Sequence, residues 1–393
     1  MRKFPRSLAL GLTLLILMLL AACGGGGAHS AISTGGGGGG NTSGPVSMNV
    51  LIPPGAQNNS GISQFVLNNS QAPVSGATFQ VEWSAIDNGS GTYDWTYPDG
   101  EIGLLTSSEK ANFIFWANAD SSSDDCSSQG QFGDPSAGNC AIPSYVWTAL
   151  AATGDYTVCT PSNANGPQRI PNYFALAFQT NYQNFIKAAI AHYASNSQVG
   201  YIRFGLGRGG ETIPVGDWDS GDACSQQFAA WGLTDATVST TWEPYLGAML
   251  AFEAANNPSG KQLMVGITPM NGNGVPDFLA QTAVPLHIGF GSQGLEASDV
   301  GNCAGSTADW CTLFHTYSGQ VPLELQTIGQ SCPQSPTSCA TGSLVTLLPF
   351  AVSNDATILE IYYQDWLTAF DPNYQGFDSA YAGIFTSAAA GQQ

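Results

Sequence analysis

The sequence predicts an α/β chain folded as a single (β/α)8 barrel. Short apolar runs of strand character alternate with helical patterns, as parallel βαβ units require. Eight such runs occur over about 345 residues, which suits one large barrel domain. Hydrophobic residues are 43% of the chain and aromatics 11%, with nine Trp, enough for an extensive packed core.

The strand runs are, in order, Met48–Ile52, Thr78–Ile86, Ala111–Ala117, Gly200–Gly207, Gln262–Thr268, Leu286–Phe290, Val321–Thr327 and Thr357–Tyr363. Apolar residues at helical spacing fill Asn184–Ala194 and Trp242–Ala255. Further helices are expected at Pro276–Thr282, Asp309–Tyr317, Leu344–Val352 and Asp378–Ala388. Asp94 and Trp95 read as a helix start, since Asp suits a first turn.

Ahead of this domain the chain has its own logic. Arg2, Lys3 and Arg6 precede an uncharged, Leu-rich run from Ser7 to Ala22. A basic start, a short apolar stretch and small residues describe a secretory signal, and the run is too short to span a bilayer comfortably. Leu20-Ala21-Ala22-Cys23 resembles the bacterial lipobox, which implies cleavage before Cys23 and a lipid chain on its thiol. The expected organisation is a signal peptide over 1–22, lipidated Cys23 with a Gly-rich spacer over 23–45, and the barrel over 46–393. The expected location is the cell envelope, lipid-anchored and facing the periplasm or the exterior.

Charge excludes some partners. Six of nine Lys and Arg lie beyond Cys23, with all 28 acids, giving that part a formal charge of −22. Nucleic acid is not an expected partner, because there is no basic surface to neutralise phosphates. Membrane contact is expected through the anchor alone. Besides Cys23, eight cysteines remain, an even number suited to disulfides outside the cytoplasm. Local spacing favours Cys126–Cys140, Cys303–Cys311 and Cys332–Cys339, leaving Cys159–Cys224 by elimination. No C-x-x-C occurs and the four His are scattered, so no metal or other cofactor is expected.

In such a barrel, chemistry gathers at the C-terminal ends of the strands. Those ends carry Glu82 and Trp83; Trp116 and Asn118; Arg208 and Glu211; Gln293; Glu324 and Gln326; and Glu360, Tyr362 and Trp366. Carboxylates, amides and aromatic faces are the equipment of a sugar site. One carboxylate protonates the leaving oxygen, the other attacks or activates water, and aromatic rings stack on the sugar.

VEWSAIDNGSGTYDWTYPD (81–99) resembles a recurring stretch of clan A glycoside hydrolases, the retaining barrel enzymes that include β-galactosidases and endoglycanases. AIPSYV (141–146) resembles the Pro-aromatic segment after their third strand. The resemblance implies Glu211 as acid/base and Glu324 as nucleophile, acting on an oligo- or polysaccharide. At position 210 the chain has Gly where that clan usually has Asn. GLGRGGETIP (205–214) resembles β-amylases instead, which implies Glu211 as an inverting general acid; MNVLIPPGAQN is similar to them too. Trp83, Trp116, Asn118, Arg208, Gln293, Gln326, Tyr362 and Trp366 are the expected substrate contacts, with Arg208 available to Glu324 or to a substrate carboxylate. Arg203, in mid-strand, is expected to pair with a carboxylate inside the barrel. Glu360 competes with Glu324 for the second catalytic role, with Glu82 and Glu296 behind it. A glycan-binding barrel without catalysis is the rival from another class.

Overall fold

The computed structural model describes residues 45–53, 69–89, 91–118, 141–160, 168–215, 218, 223–270, 274–301, 310–332 and 339–392. The signal segment, Cys23 and the spacer up to residue 44 lie outside them, as do Cys126, Cys140 and Cys303.

Eight parallel strands close into a barrel: β1 (Ser47–Ile52), β2 (Gly76–Glu82), β3 (Lys110–Trp116), β6 (Val199–Phe204), β7 (Gln262–Gly266), β8 (Gly289–Leu295), β9 (Leu323–Thr327) and β10 (Ile358–Tyr362). Closure comes from β1, which pairs with both β2 and β10. A separate antiparallel hairpin, β4 (Tyr156–Cys159) with β5 (Gln168–Pro171), was not foreseen. It carries Cys159, which bonds Cys224 across 65 residues; Cys332 bonds Cys339 in a second bridge, and Cys311 is also disulfide-bonded.

The strands read as continuous apolar runs because both faces are buried. Outward residues such as Val50, Phe79, Phe113, Phe204, Val265, Phe290, Leu325 and Ile361 join one large cluster beneath the helices. Helix α3 (Leu176–Tyr193) shows why those helices settle there: Phe178, Tyr182, Phe185, Ile186, Ala189 and Tyr193 form one buried stripe. The remaining helices are α1 (Thr96–Ile102), α2 (Ser144–Thr153), α4 (Ala223–Ala230), α5 (Glu243–Ala255), α6 (Val275–Ala283), α7 (Trp310–Tyr317), α8 (Leu344–Ser353), α9 (Tyr363–Phe370) and α10 (Ala380–Ala389).

Inward residues form only two small apolar groups. Tyr201, Met264 and Ile358 make one; Leu51, Ile114 and Trp116 make the other, with Tyr362 against it. The rest of the lumen is polar: Asn49, Thr78, Gln80, Asn112, Arg203, Glu324, Gln326 and Glu360 are all buried. A barrel needing only stability would fill these positions with branched apolar side chains. Buried polar and charged groups carry a desolvation cost that apolar residues avoid.

One strand departs from its expected place. The run Leu286–Phe290 suggests a strand, but Val284–Leu286 forms a 3-10 turn and His287 adopts φ 58°, so β8 begins only at Gly289. Its sequence, Gly-Phe-Gly-Ser-Gln-Gly-Leu, has little strand propensity of its own. Pairing with β7 and β9 imposes the extended form.

Candidate active site

Arg203 organises the lumen. It is fully buried, flanked along β6 by the outward-facing Ile202 and Phe204. Its Nη1 pairs with Glu324 Oε2, its Nη2 donates to Gln326 Oε1 at 3.1 Å, and Glu360 Oε2 stands 3.7 Å from Nη2. The expectation of a pairing inside the barrel thus holds. Strands β7 and β8 separate β6 from β9, and glycines at Gly266 and Gly291 clear the path. Gly291 pairs with Glu324 in register, and a Cβ on it would lie 2.8 Å from Glu324 Cδ and 2.6 Å from Glu324 O. Any side chain at 291 would occupy the carboxylate's place.

The electrostatics follow from burial. Glu324 is raised by desolvation, and Arg203 opposes that rise by its charge and hydrogen bond. Burial pushes Glu360 up to about 8, so it is largely protonated at neutral pH. A protonated Glu360 leaves the guanidinium to Glu324. Arg203 in turn feels desolvation first, then the charges of Glu324 and Glu211. Among the described residues, Glu324 Oε1 has no hydrogen-bond partner.

Glu211 sits at the mouth, half-buried, on the loop that follows β6. That loop is tied down along its length. Leu206 N and Gly207 N both donate to Glu211 O, Glu211 N donates to Arg208 O, and Arg208 N donates to Ile213 O. Gly209 donates to Asn118 O with φ +54°, a conformation that a side chain would strain. Tyr182 and Tyr245 hydroxyls hold Gly205 O and Leu206 O from behind, at 2.7 and 3.0 Å. A Cβ on Gly266 would lie 3.7 Å from Glu211 Cα, and Gly266 is paired to Gly291, the neighbour of Glu324. Two strand widths, on the order of 10 Å, therefore separate Gly266, which lies beside Glu211, from Glu324 at the backbone.

The other expected contacts divide. Trp116, Gln293, Gln326 and Tyr362 are inside the barrel or at its mouth, Trp116 being 4% exposed and Gln293 and Tyr362 half-buried. Arg208 shares the Glu211 loop. Asn118 is buried and braces that same loop, because its amide donates to Tyr173 Oη, which in turn donates to Pro214 O. Trp83 must be corrected. Strand β2 ends at Glu82, and the alternation turns Trp83 outward, fully buried against Phe178, Tyr182 and Phe185 of α3. Its indole donates to Asp87, which also accepts from Tyr145, joining the 81–99 and 141–146 segments. Trp366 is corrected likewise. β10 ends at Tyr362, α9 starts at once, and Trp366 packs on Phe370 and Phe385 with no exposure.

Asp365, another residue expected at the end of the eighth strand, instead has a structural place: its buried carboxylate accepts from Ser331 N and Oγ and anchors the loop after β9 beside the Cys332–Cys339 bridge. Burial raises it to about 6. Among the described residues, no group of three or more His, Cys, Asp or Glu is placed to share a metal ion.

No protein-family model matches the chain, and no curated protein does. Among solved structures, a glycosylated endo-β-1,4-xylanase of glycoside hydrolase family 10 from Gloeophyllum trabeum aligns with TM-score 0.47 and 11% identity, over 88% of this chain and 97% of that one. Endo-glycoceramidase II from Rhodococcus sp. aligns with TM-score 0.49 and 13% identity, over 87% and 78%. A β-galactosidase from Halorubrum lacusprofundi aligns with TM-score 0.46 and 10% identity, over 88% and 57%. At such identity and TM-score the likeness says nothing about residues or chemistry.

Proposed function

We propose that this chain is a glycoside hydrolase that cleaves an O-glycosidic bond with Glu211 and Glu324. The observation that carries this reading is that one buried guanidinium, Arg203, pairs with Glu324 inside a polar lumen and also feels the charge of Glu211 at the mouth above. A half-buried Glu211 is suited to hold a proton for the leaving oxygen, since it meets solvent on one side and the lumen on the other. Glu324 must be ionised to attack an anomeric carbon, and Arg203 favours that form. The reading is a retaining mechanism, with carboxyl groups about 5 Å apart once substrate is bound; inversion needs about 6.5–9.5 Å. The substrate is an oligo- or polysaccharide met outside the cytoplasm, with the enzyme held there by a lipid on Cys23.

A panel of aryl glycosides and polysaccharides, with proton NMR of the first-formed anomer, tests both activity and stereochemistry. Glu211→Gln and Glu324→Gln should each lower kcat by several orders of magnitude on whichever substrate the wild type cleaves. A wild type inert on the whole panel, or a Glu211→Gln variant as active as it, would refute the assignment. Mass spectrometry of membrane-extracted protein, set against Cys23→Ser, tests the anchor. Full burial of Glu324 supports a second reading, a barrel that binds glycans without cutting them. In that case glycan binding survives in Glu211→Gln and neither form turns over.

A further inference from the structure

Two hydrogen-bond donors at the mouth have no partner among the described residues. They are Trp116 Nε1 and Gln293 Nε2, both buried atoms. Leaving a buried donor unmet is costly, so two in one place point to something that binds there. Both lie against the bare side of Gly210, the residue before Glu211. A Cβ on Gly210 would fall 3.2 Å from Gln293 Nε2 and 3.6 Å from Trp116 Nε1, and would also collide with Ile114. The Trp116 ring is packed with Leu51, Ile114 and Tyr362, which fixes the direction of its only polar atom.

We infer that Trp116 and Gln293 form a paired-donor cradle for an acceptor oxygen on an uncharged sugar unit bound beside Glu211. Two N–H groups offer no acceptor, so the ligand atom must bring lone pairs, as a sugar hydroxyl does. Both donors are neutral. Glu211 and Glu82 stand at the same mouth with Glu324 beneath, so these acids outnumber Arg208 on the Glu211 loop and disfavour a uronate carboxylate, while Arg203 is engaged by Glu324 and Gln326. This inference rests on the proposed function for its placement beside the scissile bond, and it extends that function to the substrate's class.

The test is the indole 1H–15N resonance of Trp116 in the full-length protein, assigned with Trp116→Phe. It is titrated with methyl α- and β-glycosides of glucose, galactose, xylose and mannose, and with methyl glucuronides. At least one neutral glycoside should move this resonance. Gln293→Leu, checked for an unchanged melting profile, should bind that glycoside roughly tenfold more weakly. The monodeoxy analogue lacking the contacted hydroxyl should show a similar loss. A resonance unmoved by every neutral sugar, equal affinity in Gln293→Leu, or tighter binding of a glucuronide would each overturn the inference. Aryl-glycoside turnover with an unmoved resonance refutes the cradle alone; a moved resonance without turnover refutes catalysis alone.

Discussion

Gly291 gives a sharp test of how the lumen is built. Gly291→Ala places a methyl group where the Glu324 carboxylate rests, 2.8 Å from Cδ and 2.6 Å from the Glu324 carbonyl oxygen. The neighbouring backbone belongs to a paired strand and cannot retreat, so the carboxylate must leave Arg203. Overpacking a tight interior costs about 1–3 kcal/mol. Separating one partner of a buried ion pair costs about 3–5 kcal/mol. Expelling the carboxylate relieves part of the clash, so the two effects overlap, and a loss of about 3 kcal/mol or more is expected. Gly294, on the same strand, is the control: a Cβ there meets nothing within 4 Å, and its φ is not positive. Gly294→Ala should stay within about 0.5 kcal/mol of wild type. Urea unfolding followed by tryptophan fluorescence reads both, with the first transition compared because a chain of this size can unfold through intermediates. Equal midpoints for the two variants would refute the placement of Glu324 beside Gly291.

Arg203→Lys keeps a positive charge but not the fork that serves Glu324 and Gln326 together. The acidic limb of kcat/KM should move to higher pH, with a loss on the order of 10²-fold at pH 6; an unmoved limb argues against Arg203 holding Glu324 ionised. Glu253 is fully buried on α5 with neither carboxyl oxygen partnered, and desolvation raises it well above the ordinary carboxylate range. The unfolded chain releases that proton above about pH 4.5 while the folded one keeps it, so the contribution of Glu253 to stability is most favourable below that pH and declines above it. Glu253→Gln should remove this share of the decline, gaining on wild type by up to about 1.4 kcal/mol per pH unit; wild-type and variant urea midpoints that run parallel between pH 4 and 7 would count against it. The Cys159–Cys224 bridge spans 65 residues. By chain entropy its loss in Cys159→Ser with Cys224→Ser should cost up to about 4 kcal/mol, read as a lower first midpoint; an unchanged midpoint would show that packing alone holds the β4–β5 hairpin.

The strands most legible in the sequence were those with strong local character. Ala111–Ala117 and Thr357–Tyr363 fall within about a residue of β3 and β10, because β-branched and aromatic runs carry their own signal. β8 was misplaced because its glycines are there for others: Gly291 makes room for Glu324, and Gly289 meets Met264 of the adjacent strand. Such a strand exists through its neighbours, and no window of its own sequence reveals it. At the site, the inward Glu between two Leu and the mid-strand Arg could be read from the cost of burying charge. Trp83 and Trp366 could not be placed, since one residue decides whether a ring ends a strand inward or starts a turn outward. The donor pair over Gly210 joins positions 116, 210 and 293, which only closure of the barrel brings together.

The few cations beyond residue 23 are mostly consumed by the fold. Arg203 is sealed in the lumen, and Arg169, 2% exposed, lies 5.0 Å over the Trp147 ring. Lys110 Nζ is bound to Ser197 O, and Lys261 Nζ to Asn196 O and Val199 O. With six Lys and Arg against 28 acids beyond residue 23, the outer surface carries an excess of carboxylates. Neighbouring copies bearing such a surface repel each other, and an acidifying medium relaxes that repulsion without touching the buried guanidinium.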